Sequence, residues 1–123
     1  MRFNLSEINE LLRSRRTIYP EQFSERKVHK EQIELLLNNA QWAPTHGNTQ
    51  PWRFHVFMED GRQKLSTFLA ETYLKLTPPE AQNDAKLAKM LKRPKLSSVV
   101  IAISMKRQDT EKIPEIEEIE AVA

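Results

Sequence analysis

The chain has 123 residues, of which 39% are hydrophobic and 29% are charged, and its formal net charge at pH 7 is +2. This length suits one domain, predicted over residues 1–123, and the small net charge gives no reason to expect a nucleic-acid or membrane partner. The absence of cysteine excludes disulfides, thiol catalysis and cysteine-ligated metals. No apolar run approaches the ~20 residues of a membrane span, and the arginine-rich N-terminal region argues against a signal peptide, so we expect a cytoplasmic protein.

The first half of the chain predicts two helices, a loop and a strand. A helix is predicted from Asn4, a favourable N-cap residue, to about Ser14. After a linker, apolar residues at helical spacing predict a second helix from about Lys30 to Trp42, which Pro44 ends. From Trp52 to Met58 apolar and polar residues alternate, which is typical of a strand with two different environments on its faces.

The second half predicts two further helices and a second strand. Asp60-Gly61 ends the first strand, and apolar positions over residues 65–76 predict a third helix. A fourth, more polar helix is predicted to run to Lys92 and to be closed by Pro94. The continuous apolar run Val99–Ile103 predicts a strand that is buried on both faces.

The last segment predicts a fifth helix, and its pattern suggests that the chain folds as part of a larger protein or together with a partner. Pro114 and the acidic residues that follow it are helix-start signals, and Ile116 and Ile119 continue an apolar face. The chain stops at Ala123 without a C-cap, and a short helix is marginal unless it is packed. Two strands alone also make an unstable sheet. We therefore expect the front part of a larger unit, or a chain that relies on a partner.

Two arginines and a threonine, Arg15, Arg16 and Thr17, directly follow the first predicted helix. Two guanidinium groups and a hydroxyl suit a phosphate, which offers several strong acceptor oxygens and about two negative charges. Alternatively, basic residues near the C-terminus of a helix interact favourably with its dipole and stay in solvent. Taken alone, the triplet leaves both interpretations open.

The stretch from Ala43 to Trp52 contains two prolines, a glycine and several polar side chains, so we predict a stiff loop. Stiff loops anchored on a scaffold often carry binding residues. The amide of Asn48 can donate and accept, as the pyrimidine edge of a flavin requires, and His46 can donate to a ring carbonyl or a ribityl hydroxyl. Alternatively, both side chains only satisfy backbone groups of the turn.

Two tryptophans flank this loop and have different expected roles. Trp52 opens the apolar face of the predicted strand, so it is expected in the core. Trp42 ends the predicted second helix and is the better candidate for stacking on a flat ligand. No pair of carboxylates or histidines has a spacing that requires a metal, and no residue is assigned a direct catalytic role.

Two basic clusters, Arg13–Arg16 and Lys92–Lys95, allow a nucleic-acid-binding interpretation, which predicts steeply salt-dependent binding. The net charge of +2 is small, and no aromatic residues lie between these charges. A solvated basic surface therefore explains the clusters better than a nucleic-acid interface does.

Taken together, these motifs resemble the nitroreductase family of oxidoreductases that depend on flavin mononucleotide (FMN). Arg15-Arg16-Thr17 is similar to the family's Arg-Arg-Ser opening. The run from Ala43-Pro44 through His46 and Asn48 to Gln50-Pro51-Trp52 is similar to its Ala-Pro…Asn…Gln-Pro-Trp signature. The resemblance covers essentially the whole chain, but only the front two-thirds or so of a family member.

The resemblance implies an α+β, nitroreductase-like fold, with helices around a small, mainly antiparallel sheet. It implies a homodimer with FMN at the subunit interface, NADH or NADPH as the electron donor, and a nitroaromatic, quinone or similar small molecule as the acceptor. In such a dimer the phosphate and ribityl end would be held by Arg15, Arg16 and Thr17. The flavin of the neighbouring subunit would be approached by Trp42, His46 and Asn48.

The chain also departs from the family pattern. Family members often place a basic side chain where this sequence has Tyr19, and they continue beyond the last predicted helix into further segments of the flavin pocket. We therefore expect a domain truncated at its C-terminal end, whose 123-residue form binds FMN weakly or not at all. The alternative to an active enzyme is a catalytically inactive nitroreductase-like fragment that folds by association.

Overall fold

The structure is a computed structural model that describes residues 3–108 and 110–123. Its described residues form five α-helices and two strands: α1 Leu5–Ser14, α2 Lys30–Ala40, β1 Trp52–Phe57, α3 Asp60–Leu76, α4 Asp84–Leu96, β2 Val100–Met105 and α5 Glu115–Val122. Short 3-10 helices cover Pro20–Gln22, His46–Asn48 and Pro79–Ala81. The predicted α+β class is confirmed. No helix in the described ranges combines the length and the apolar character needed to cross a bilayer.

The two strands form an antiparallel pair whose register runs from Trp52 opposite Met105 to Phe57 opposite Val100. The prediction of a second strand buried on both faces is wrong, because the middle of β2 is open and Ile103 is 55% exposed. A continuous apolar run is buried on both faces only where other layers cover both faces. Here α3 packs against β1 and α5 against β2, and this cover leaves the middle of β2 exposed.

A hairpin of α3 and α4 supplies much of the core. Ser66 is fully buried in α3, and its hydroxyl donates to the carbonyl of Leu91 in α4. The hydroxyl of Tyr73 accepts a hydrogen bond of 2.8 Å from the backbone amide of Asn83, and the Asn83 side chain in turn caps α4. These bonds satisfy polar groups between the two helices, so the hairpin can bury them.

The prediction that Pro94 closes the fourth helix is wrong, because α4 continues to Leu96 with Pro94 buried inside it. A proline there removes one backbone donor but does not forbid the remaining helical bonds. The last turn is also held from outside. The Arg62 guanidinium donates to the carbonyls of Lys95 and Ser97, which satisfies acceptors at the C-terminal end of the helix.

The first and last helices form as predicted, but their apolar residues are not covered. The side chain of Asn4 accepts from two backbone amides of α1, and Pro114 is the N-cap of α5. No residue of α1 is buried, and Leu11 in its apolar stripe is 72% exposed. In α5 both Ile116 and Ile119 are exposed, so the expected apolar face lies in solvent within this single chain.

Candidate functional site

The loop between α2 and β1 has an unusual backbone that restricts its conformation. Three of its residues, Gly47, Asn48 and Gln50, have positive φ angles of 61°, 52° and 43°. Glycine and asparagine tolerate this region, whereas glutamine is held there only when its surroundings require it. The loop is anchored at its end, because the amide of Lys106 donates to the carbonyl of Pro51 at 2.7 Å. These constraints agree with the predicted stiff loop.

Gly47 also packs tightly against the segment that leads into α5. A Cβ atom at this position would lie 2.7 Å from Cδ1 of Ile113, which is closer than van der Waals contact allows. Ile113 is itself buried. The absence of a side chain at Gly47 therefore lets the loop approach the start of α5.

His46, the first predicted ligand of this loop, forms a hydrogen-bonded pair with Glu117 of α5 through its Nδ1 atom. Both side chains are partly exposed. They line an open cavity of about 500 Å³ between the loop and the helix, together with Pro44, Thr45, Glu120 and Ala121. A titratable ring thus lies at the edge of a cavity and is held by a carboxylate.

Trp42 does not end the second helix as predicted, because α2 stops at Ala40 and Trp42 lies in the turn that follows. Asn48 is exposed, as an amide available for a ligand must be. Trp42 is 88% exposed, so its indole surface is open, whereas Trp52 is buried as expected for a core residue. The exposed indole of Trp42 leaves an aromatic face open to solvent.

The arginine triplet lies just beyond α1 and is exposed. One guanidinium nitrogen of Arg16 donates to the carbonyls of Arg13 and Arg15 at 2.7 and 2.8 Å, so Arg16 binds the C-terminal end of its own helix. Arg15 makes a longer contact of 3.5 Å with the hydroxyl of Thr17. Arg15 and Thr17 therefore keep most of their hydrogen-bonding capacity, whereas Arg16 already uses part of its own.

The candidate residues form two groups, the Arg15–Thr17 triplet after α1 and the residues Trp42, His46 and Asn48 after α2. Among residues 3–108 and 110–123, no hydrogen bond or ion pair links the Arg15–Thr17 triplet to His46, Asn48 or Trp42. The same part of the chain contains no cluster of histidine and acidic residues able to hold a metal ion.

The second basic cluster has local partners. Arg93 donates to the carboxylate of Glu21 at 2.9 Å and lies 5.6 Å from the centre of the Tyr19 ring. The guanidinium of Arg93 holds the pKa of Glu21 below its usual value. Pro94 of the same cluster is buried. Part of this basic surface is thus already engaged inside the chain.

Glu117 lies beside the candidate loop although its position in the sequence did not predict this. It was recognised only as one of several acidic residues in the first turn of a helix, which is a common pattern with a local explanation. Its partner His46 lies 71 residues earlier in the chain. No local spacing could indicate such a pair.

Comparisons with known proteins agree on one family. A family model described as "Nitroreductase family" matches residues 12–123. The chain is 35% identical to a nitrobenzene nitroreductase from Ectopseudomonas oleovorans. This match spans 66 residues, which are 54% of this chain and 28% of that protein. It is also 27% identical to YdjA of Escherichia coli K12, described as a candidate NAD(P)H nitroreductase. This match spans 88 residues, which are 72% of this chain and 46% of that protein.

A solved structure supports the fold in particular. The crystal structure of a nitroreductase-like family protein from Bacillus cereus matches with a TM-score of 0.72 at 24% identity, covering 94% of this chain and 57% of that chain. The predicted nitroreductase-like fold is therefore confirmed. The chain spans less than half the length of the two curated relatives.

Proposed function

Because the chain belongs to the Nitroreductase family, we propose that it acts in the cytoplasm as an FMN-dependent oxidoreductase that uses NADH or NADPH to reduce nitroaromatics, quinones or similar small acceptors. The observation that carries the proposal is the match over residues 12–123, which includes both the arginine triplet and the loop with His46. The names of the relatives, among them a nitrobenzene nitroreductase, support the acceptor class. Bound FMN would supply the transfer of two electrons from the nicotinamide to the acceptor.

The accessible triplet fits the phosphate end of FMN. Arg15 has a planar guanidinium whose only hydrogen bond to another described residue is the long contact with Thr17, so its other N–H groups are available for phosphate oxygens. The Thr17 hydroxyl can donate to the same oxygens. Arg16 can contribute its remaining donors while it stays fixed to the end of α1. We therefore assign phosphate and ribityl binding to this triplet.

The loop fits the ring end of the cofactor. The Asn48 amide is exposed on a backbone with positive φ and can pair with the donor and acceptor atoms of a pyrimidine edge. Trp42 offers an open aromatic face for stacking. A stiff loop binds such a ring at a small entropic cost, because its residues are ordered before the ligand arrives.

We further propose a homodimer in which each FMN lies between the triplet of one copy and the loop of the other. Both groups are exposed, and within the described residues no hydrogen bond or ion pair joins them. Exposed apolar side chains of α1 and α5, including Leu11 and Ile119, supply the surface that a second copy would cover.

Flavin binding and turnover test the proposal together. FMN is titrated into the purified protein to saturation, with flavin fluorescence and absorbance as readouts, and NADH and NADPH oxidation is then followed with benzoquinone or nitrobenzene. With benzoquinone, one NAD(P)H and one proton yield one hydroquinone and one NAD(P)+. We expect saturable binding and turnover above the rate of free FMN.

Each alternative has its own result. A protein that binds no FMN and does not accelerate NAD(P)H oxidation agrees with the catalytically inactive alternative and contradicts the proposal. Binding to DNA or RNA with a steep dependence on salt concentration favours the nucleic-acid alternative. Sedimentation equilibrium tests the dimer, and a monomer at all concentrations contradicts the shared site.

A further inference from the structure

We propose that Glu117 is a positioning residue that holds the imidazole of His46 by its Nδ1 proton and leaves Nε2 to face the ligand of the loop. Glu117 lies in the first turn of α5, and its Oε2 atom pairs with Nδ1 of His46. The inference rests on the proposed function in one respect, since that function identifies the ligand as FMN. The pairing itself does not depend on which ligand binds.

The chemistry of the two partners sets the state of the ring. An ionised carboxylate only accepts hydrogen bonds, so Nδ1 of His46 carries the proton that it shares with Glu117. In the neutral ring, Nε2 is then an acceptor, and it donates only when the ring is doubly protonated. Nε2 of His46 has no hydrogen-bond partner among the described residues. The ring therefore presents one defined atom to a ligand, and as a neutral group it accepts from a hydroxyl such as those of a ribityl chain.

The helix that carries Glu117 is itself fixed at two places. The next residue, Glu118, is 1% exposed and accepts from the guanidinium of Arg107 and from the backbone amide of Gln108. The start of the helix is held against the loop, because Ile113 packs on Gly47. The carboxylate of Glu117 thus attaches α5 to His46, and the carboxylate of the next residue, Glu118, attaches it to the segment that follows β2. A supporting residue fixed in this way can hold a binding group in one orientation.

The chain offers a matched control for Glu117. Glu115 lies in the same first turn of α5, carries the same charge and makes no side-chain hydrogen bond or ion pair with a described residue. Its removal changes the charge at the N-terminus of the helix as much as the removal of Glu117 does. A difference between the two variants therefore reports the contact with His46, not the helix dipole.

The first readout is the imidazole ring itself, measured by 15N NMR without any ligand. The chain has three histidines, and the signals that disappear in His46→Gln identify those of His46. We expect the protonated Nδ1 form in the wild type and in Glu115→Ala, and a loss of this preference in Glu117→Ala. Glu117→Gln keeps an acceptor oxygen and should retain the preference. An unchanged ring spectrum in Glu117→Ala overturns the proposal.

The second readout is FMN affinity in a double-mutant cycle. Glu117→Ala should weaken FMN binding about 10-fold, as expected for a lost hydrogen bond to an ionised group. Glu117→Gln should restore most of that loss, and Glu115→Ala should bind like the wild type. Adding Glu117→Ala to His46→Gln should weaken binding no further, because the ring that Glu117 positions is already absent. Independent, additive losses overturn the proposal.

The two readouts separate the inference from the proposed function. If the wild-type protein binds no FMN, the proposed function fails, and the ring spectra alone decide whether Glu117 positions His46. If FMN binds but neither the spectra nor the affinity respond to Glu117→Ala, the proposed function stands and the positioning role is overturned.

Discussion

The buried carboxylate of Glu118 accepts a hydrogen bond from the guanidinium of Arg107, and this contact joins α5 to the segment that leaves β2. The backbone amide of Gln108 donates to the two oxygens of the same carboxylate at 3.2 and 3.3 Å. A charge this far from water is stable only while such donors remain in place. The placement of α5, and of Glu117 within it, therefore depends on a polar contact within the core.

Removing either side of this contact should destabilise the fold. We expect Glu118→Ala to lower the free energy of unfolding by about 3 kcal/mol, the lower end for a broken buried ion pair, because the Arg107 side chain is one-third exposed. Urea unfolding followed by circular dichroism measures the loss. Glu115→Ala is the control and should change the stability by less than about 0.5 kcal/mol.

The pair can also be tested as a unit. Arg107→Met combined with Glu118→Leu removes both charges of the pair at once. We expect the double variant to lose less stability than the sum of the two single variants, because each single change leaves one member of the pair without the other. Strictly additive losses would show that the two side chains are not coupled.

Gly47 should not tolerate a side chain. Its φ of +61° and the distance of 2.7 Å that would separate an added Cβ from Cδ1 of Ile113 both oppose substitution. We expect Gly47→Ala to cost about 2 kcal/mol from the left-handed backbone and the contact with Ile113. Thermal or urea unfolding measures the effect. Adding Ile113→Val, which removes the Cδ1 atom, should recover part of the loss.

The other glycine provides the contrast. Gly61 lies in the first turn of α3 with an ordinary φ, and its nearest heavy atom to an added Cβ is 3.9 Å away. Gly61→Ala should therefore be neutral or stabilise the protein by up to about 1 kcal/mol through its better helix propensity. Equal effects at Gly47 and Gly61 would contradict the packing of the loop on Ile113.

Phosphate recognition should distinguish Arg15 from its neighbours. We expect Arg15→Met to weaken FMN binding about 10- to 100-fold, because charge-assisted bonds to phosphate are lost, and to leave riboflavin binding unchanged. Fluorescence titrations with both flavins measure this difference. Arg13→Met is the control, since Arg13 lies within α1 and outside the proposed phosphate site. Equal losses for FMN and riboflavin would argue against phosphate binding by Arg15.

The Arg93–Glu21 pair predicts a small pH dependence with a defined sign. The hydrogen bond from Arg93 lowers the pKa of Glu21 below the ordinary value of 4.5, so the folded state favours the ionised carboxylate. Its contribution to stability is present above that value and is lost as the pH falls through the lowered pKa. A 13C NMR titration of the Glu21 carboxyl should show a midpoint that rises in Arg93→Met. An unchanged midpoint contradicts the pairing.

Several features of the fold were predictable because they depend on neighbours in the chain. Asn4 accepts from the first backbone amides of α1, as its position before an amphipathic segment predicted. The alternation from Trp52 onward predicted the first strand, with Trp52 buried. The two polar motifs indicated the family that the comparisons then matched. Hydrogen bonds and steric limits within a few residues determine such features.

Other features were mispredicted because distant contacts override local preference. Pro94 was expected to end α4, yet Arg62 from α3 satisfies carbonyls beyond it and the helix continues. The apolar run in β2 was expected to be buried on both faces. Burial of a strand depends on which other elements pack against it, and none of the described elements buries the middle of β2. In α5 the carboxylate of Glu118 is buried instead of an isoleucine, because Arg107 is present to receive it.

By itself, the sequence determined the order and type of the α-helices and strands and the family to which the chain belongs. Only the tertiary structure decided that Glu117 meets His46 across 71 positions and that Gly47 lies against Ile113. The physical reason is that helix caps, turns and periodicity arise between residues close in the chain. Contacts between the loop and α5 depend on how the whole chain packs, which no local pattern encodes.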